Sequence, residues 1–190
     1  MLNEVIYSFA VWLDSMASST LLHESFYMYN WIEATHVLTL MICLGMLFLI
    51  DLRILGFAMP GIPAAKIASH LNVPMLFGFS IMIITGLLLF YAIPVRSSQS
   101  LWFRIKVILL IAAAINAFLF HKQLTASSST WDGDGRAPRN LRIGATLSII
   151  FWILIAVCGR FIAYDWFDCS HNPGPFVSAI AGCIDGQTQF

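Results

Sequence analysis

The chain has 190 residues, of which 59% are hydrophobic and only 11% charged, with a mean hydropathy of +0.81. A soluble domain carries about 25% charged residues, so this composition excludes a water-soluble globule and points to an integral membrane protein. Lys+Arg and Asp+Glu balance at 10 each, which gives nucleic acid no footing as a partner.

Residues 1–30 are expected to form an interfacial helix and a connector. In "LNEVIYSFAVWLDSM" the apolar residues Leu2, Val5, Ile6, Phe9, Trp12, Leu13 and Met16 recur at helical spacing, with polar residues opposite. No basic region precedes them, so the segment does not read as a signal peptide. It reads as a helix lying on the outer leaflet, with a contact helix between subunits as the competing role. Tyr27, Tyr29 and Trp31 make an aromatic belt where the first span begins.

A bilayer core about 30 Å thick takes about 20 apolar residues as helix. Four stretches meet that length, at about 31–50, 71–93, 101–120 and 141–163. Backbone groups in lipid must be satisfied internally, so the expected fold is an all-α, integral membrane four-helix bundle over 31–166. Pro74 falls in the first turns of the second span, where it starts or kinks the helix. The connector "HKQLTASSSTWDGDGRAPRN" is polar and turn-rich and reads as a flexible loop. Its Asp-Gly-Asp-Gly run lacks the ligand spacing and closing glutamate of a calcium loop.

Arg53, Lys66, Lys122, Arg136, Arg139 and Arg142 lie in or beside the loops after spans one and three, while Arg96, Arg104, Lys106 and Arg160 lie toward the other end. Lysine and arginine favour the cytoplasmic side. Both termini are therefore expected outside, in the periplasm if the membrane is the bacterial inner one. Residues 167–190 then form a periplasmic tail, where Cys169 and Cys183 are expected to pair as a disulfide. Cys43 and Cys158, inside spans one and four, read as small apolar residues.

Ionisable groups inside a membrane are costly and mark function. Glu33 and His36 sit one turn apart on span one, with His36 roughly 7 Å in from its outer edge at helical rise. His70 opens span two and His121 closes span three. Two histidines at one depth on antiparallel neighbours suit a six-coordinate b-type haem, each imidazole giving one axial nitrogen. Lys66, Lys122, Arg139 and Arg142 lie on the same side to meet propionates. Asp51 and Arg53 read as an interfacial pair or cap. Arg160 is expected to pair with Glu33 or Asp165 and, with Glu33, to form the surroundings of His36. No nucleophile elbow, P-loop, dinucleotide loop or zinc-type cluster is present in the sequence, so no catalytic residue is assigned.

At these residues the chain resembles an uncharacterised family of bacterial four-helix membrane proteins, cytochrome-b-like in layout. The motifs are E-x-x-H (Glu33, His36), D-L-R-x-L-G (Asp51, Arg53), T-G-x-L-L-F (Thr85, Gly86) and F-R-x-K (Arg104, Lys106). They continue with N-x-x-x-F-H (Asn116, His121) and G-R-x-I-A-Y (Gly159, Arg160, Tyr164). The resemblance implies the fold and topology and no activity, and His70 lies outside its pattern. The leading functional expectation is a cytochrome b-type electron-transfer subunit, binding haem b through His36, His70 and His121. It would link quinone to a periplasmic redox protein, as a homo-oligomer or within a larger complex. The alternative is a haem-free scaffold or anchor that docks other proteins. A small transporter using Glu33, His36 and Arg160 is the third option, without the broken repeats many transporters show.

Overall fold

The computed structural model describes residues 2–59, 61–131, 137–165, 167–171, 173–184 and 187, with backbone only for 125–131. The regular elements among the described residues are helices: α1 (Leu2–Asp14), α2 (Ala17–Glu24), α3 (Met28–Leu55), α4 (Ala64–Ala92), α5 (Pro94–Ser98), α6 (Leu101–Trp131), α7 (Arg139–Ala163) and α8 (Pro175–Ala181), with a 3-10 turn at Cys169–His171. The extended exception among them is an isolated bridge between Ser100 and Asp168.

Four helices are long and apolar enough to cross a membrane: Met28–Leu55, Ala64–Ala92, Leu101–Leu124 and Arg139–Ala163. Only 6% to 33% of each apolar window is buried by protein. Side chains such as Met41, Phe77, Ile84 and Phe118 stand exposed. Water would not tolerate such a surface, whereas acyl chains solvate it. The protein is a membrane protein.

The helices outrun the expected spans. The polar connector was expected to be loop from His121 onward, yet α6 continues to Trp131. Lys122, Gln123, Leu124 and Ala126 are good helix formers, and no glycine or proline intervenes before Gly133. The Asp-Gly-Asp-Gly run lies outside the described residues. Helix α4 starts at Ala64, so Pro74 is an interior proline and the helix continues through it. The amphipathic N-terminus is two helices, α1 and α2, with a 74° bend between them.

Two glycines end helices in the left-handed region. Gly56 has φ +88, and Phe57 N–H reaches Leu52 C=O at 2.9 Å while Gly56 N–H reaches Arg53 C=O at 3.1 Å. That is the paired closure that caps the last carbonyls of a helix. Gly182, φ +79, closes α8 with its own N–H and that of Cys183 both on Ser178 C=O at 3.0 Å.

The chain forms two compact units: Met1–Val37, Ile83–Ile108 and Ala156–Phe190 make one, and Leu38–Met82 and Leu109–Ile155 the other. In the first, α1 packs on α5, with Ala10, Pro94, Val95 and Ser97 buried. Ser19 Oγ–H donates to Tyr91 C=O at 2.7 Å. The C-terminal tail returns to the start of α6 through the Ser100–Asp168 bridge, and Cys169 and Cys183 are joined as a disulfide with Cα atoms 5.4 Å apart.

In the second unit all four long helices feed one buried cluster: Ile50 and Ile54 from α3, Ala64 and Ile67 from α4, Leu124 from α6, Leu141 and Ala145 from α7. A second cluster gathers Cys43, Met82, Ala113, Trp152 and Ile155.

Candidate functional site

In the first unit His36, half-buried on α3, shares a hydrogen bond with Thr85 on α4, Nδ1 to Oγ1, at 2.9 Å. Gly86 follows Thr85 and gives the ring room: a Cβ there would stand 3.2 Å from His36 Cε1. The E-x-x-H and T-G motifs thus meet, threonine holding the imidazole and glycine admitting it. Glu33 is exposed one turn away.

The remaining charges of this unit are mostly committed. Arg160 donates to the Tyr164 hydroxyl and stacks over the same ring, 4.5 Å from its centroid. Asp165 is taken by Arg96, with Nε–H donating to Oδ1 at 2.6 Å. Among the described residues Arg160 therefore takes Tyr164, four residues on and just past the end of α7, in place of the expected Glu33 or Asp165. Arg104 donates to Asn3 Oδ1 and Ile180 C=O, both at 3.0 Å, and to Ser98 C=O at 3.2 Å. It ties α1, α5 and the segment before Gly182 together. Lys106 lies beside Cys158 and Gly159. The F-R-x-K and G-R-x-I-A-Y motifs meet there as well.

In the second unit Asp51 is 3% exposed, with Ser148 as its hydrogen-bonding neighbour and, among the described residues, Oδ2 without a partner. Arg53, also buried, turns its Nε–H to Ile62 C=O and so clips the loop after α3. Asp51 and Arg53 thus meet different partners, Arg53 capping the loop that follows α3. Asn116 Nδ2–H donates to Gly144 C=O on α7 at 3.0 Å.

His70 and His121 belong to this unit too. Ile67 and Leu124 share the buried cluster, and the histidines stand one turn beyond them, His70 after Ile67 and His121 before Leu124. His70 Nδ1–H donates to its own helix at Lys66 C=O, 2.7 Å away. A carbonyl only accepts, so Nδ1 carries the proton and Nε2 keeps the lone pair in a neutral ring. Pro74, with no N–H, withholds the usual helical bond from the His70 carbonyl. The sequence signal for this was the four-residue His–Pro spacing. Both histidine rings are exposed at the helix surface. Among the described residues no group of three or more His, Cys, Asp and Glu gathers to hold a metal ion. Iron here would have to bring its own equatorial nitrogens, as haem does. Arg139 and Arg142 line a groove at the start of α7.

The model for a family of unknown function, DUF6644, matches residues 23–165. The chain belongs to this family. Every motif paired above, from Glu33 to Tyr164, lies within the DUF6644 match, whereas α1 and α8 lie outside it. The DUF6644 description gives no activity or cofactor. No curated protein and no solved structure matches the chain.

Proposed function

We propose that the protein is an electron-carrying membrane subunit of cytochrome b type in the bacterial inner membrane, with haem b held by His70 and His121. The observation that carries this reading is the state of His70. Its Nδ1 proton is held by the Lys66 carbonyl, which leaves the Nε2 lone pair to bind a metal in the neutral ring. Metal-bound histidines have this outer arrangement almost always. His121 stands on α6, one turn from Leu124, which shares a buried cluster with Ile67 of α4. Haem would supply one-electron chemistry, and Lys66 and Lys122 would meet its propionates.

The same reading takes the molecule as a four-helix bundle with both termini outside. The excess of cations after spans one and three supports that orientation, and the Cys169–Cys183 disulfide suits an oxidising compartment. Because both inner rings are exposed, the haem edge needs cover from a neighbour, which favours an oligomer or a larger complex. Quinone on the membrane side and a periplasmic redox protein are the proposed electron partners. His36, clamped by Thr85 and Gly86, serves the outer polar layer with Glu33. Pyridine haemochrome analysis of the purified protein tests the reading. Stoichiometric haem b supports it, and haem-free protein from haem-replete cells ends it.

Two observations favour a second reading, a haem-free scaffold. Most of the motifs contact each other or a neighbouring helix, as structural residues do. The stripe Leu2, Val5, Phe9 and Trp12 also stands exposed on α1. Native mass spectrometry showing a symmetric oligomer without cofactor would support it.

A further inference from the structure

We propose that the groove at the start of α7 binds the headgroup of an anionic phospholipid from the surrounding bilayer. This inference stands independently of haem. The groove has a volume of about 330 Å³ and is lined by Leu55, Arg139, Arg142, Ile143, Thr146 and Leu147. That is the size at which small-molecule pockets begin, about 300 Å³. Arg139 and Arg142 are three residues apart and share one face of the first turn of α7.

Charge decides the class of occupant. No carboxylate lines the groove. Among the described residues neither guanidinium has a hydrogen-bond or ion-pair partner. Thr146 already gives its hydroxyl proton to the Arg142 carbonyl at 3.0 Å, so it has no proton to donate to an anion in the groove. The polar side of the groove is therefore purely cationic, matched to a phosphate oxygen pair. The other side is aliphatic: Leu55 closes α3, and Ile143 and Leu147 continue along α7 into the apolar span. A free phosphate would leave that side bare. A phospholipid fills both, with phosphate on the arginines and the first acyl carbons on the leucines and isoleucine. Basic pockets between membrane helices recognise anionic headgroups in this way.

The test is native mass spectrometry of the detergent-purified full chain, titrated separately with phosphatidylglycerol and phosphatidylcholine. One phosphatidylglycerol should be retained with at least about tenfold preference, the scale two basic residues give near a membrane. Arg139→Gln/Arg142→Gln should cut the preference to about threefold or less. Leu147→Trp, which keeps both cations and fills the aliphatic side, should also lower retention. Arg160→Gln, remote in sequence and engaged with Tyr164, should leave it unchanged. Equal retention of the two lipids would overturn the proposal, as would a double variant that binds like the parent. Displacement by millimolar inorganic phosphate would also overturn it, since the site would then recognise a free anion.

Discussion

His36 and Thr85, on two different helices, are joined at 2.9 Å, and Gly86 closes over the same imidazole. Thr85→Val should cost about 1 kcal/mol in detergent, the scale of interhelical hydrogen bonds in membranes. Gly86→Val should cost more, because its Cβ already crowds the ring and added methyls must move it. In a His36→Ala background the cost of Gly86→Val should fall. Thermal unfolding of the parent, Thr85→Val, Gly86→Val, His36→Ala and the Gly86→Val/His36→Ala double checks this, and strict additivity of the last pair would contradict the packing described.

The Cys169–Cys183 disulfide leaves Cys43 and Cys158 as the free thiols, both buried. Denatured protein should alkylate at two sites without reductant and at all 4 cysteines with it. Reduction should lower the unfolding temperature. The chain-entropy limit for a loop of this length is about 3 kcal/mol. The gain in protease sensitivity should be confined to residues after Ala163, read by peptide mapping.

Two arginines near α5 should differ in weight. Arg96 is partly exposed in its pair with Asp165, so Arg96→Gln should cost at most about 1 kcal/mol and lose its effect in high salt. Arg104 serves three acceptors on separate segments. Arg104→Gln should cost about 2 kcal/mol or more and loosen α1 and α8 together, measured by hydrogen exchange.

Pro74→Ala should restore a donor to the His70 carbonyl. The variant should be at least as stable as the parent. Any bound haem should change its reduced spectrum or midpoint potential, because the turn that carries His70 straightens. An unchanged potential would separate Pro74 from the site.

The spans were legible because lipid demands long apolar runs, and hydropathy records that directly. The ends were not. Helix α6 runs on through Lys122 and Gln123 because propensity outlives hydrophobicity there, and a loop reading based on polarity stops too soon. The short α5 was hidden because a five-residue helix has too little period to register, although Pro94 marks its start. The residues of the candidate site were visible as misplaced polar groups, but their partners were not. Arg160 chose Tyr164 over Glu33, and Thr85 reached His36 across 49 residues of sequence. Tertiary proximity of that kind leaves no mark on periodicity.

The most direct measurement is the dithionite-reduced minus oxidised absorption spectrum of the purified protein alongside His70→Ala and His36→Ala. A b-type alpha band in the parent and in His36→Ala, lost in His70→Ala, is the predicted result. No band in any of them, or a band untouched by removing the His70 imidazole, would contradict haem ligation at the α4–α6 pair.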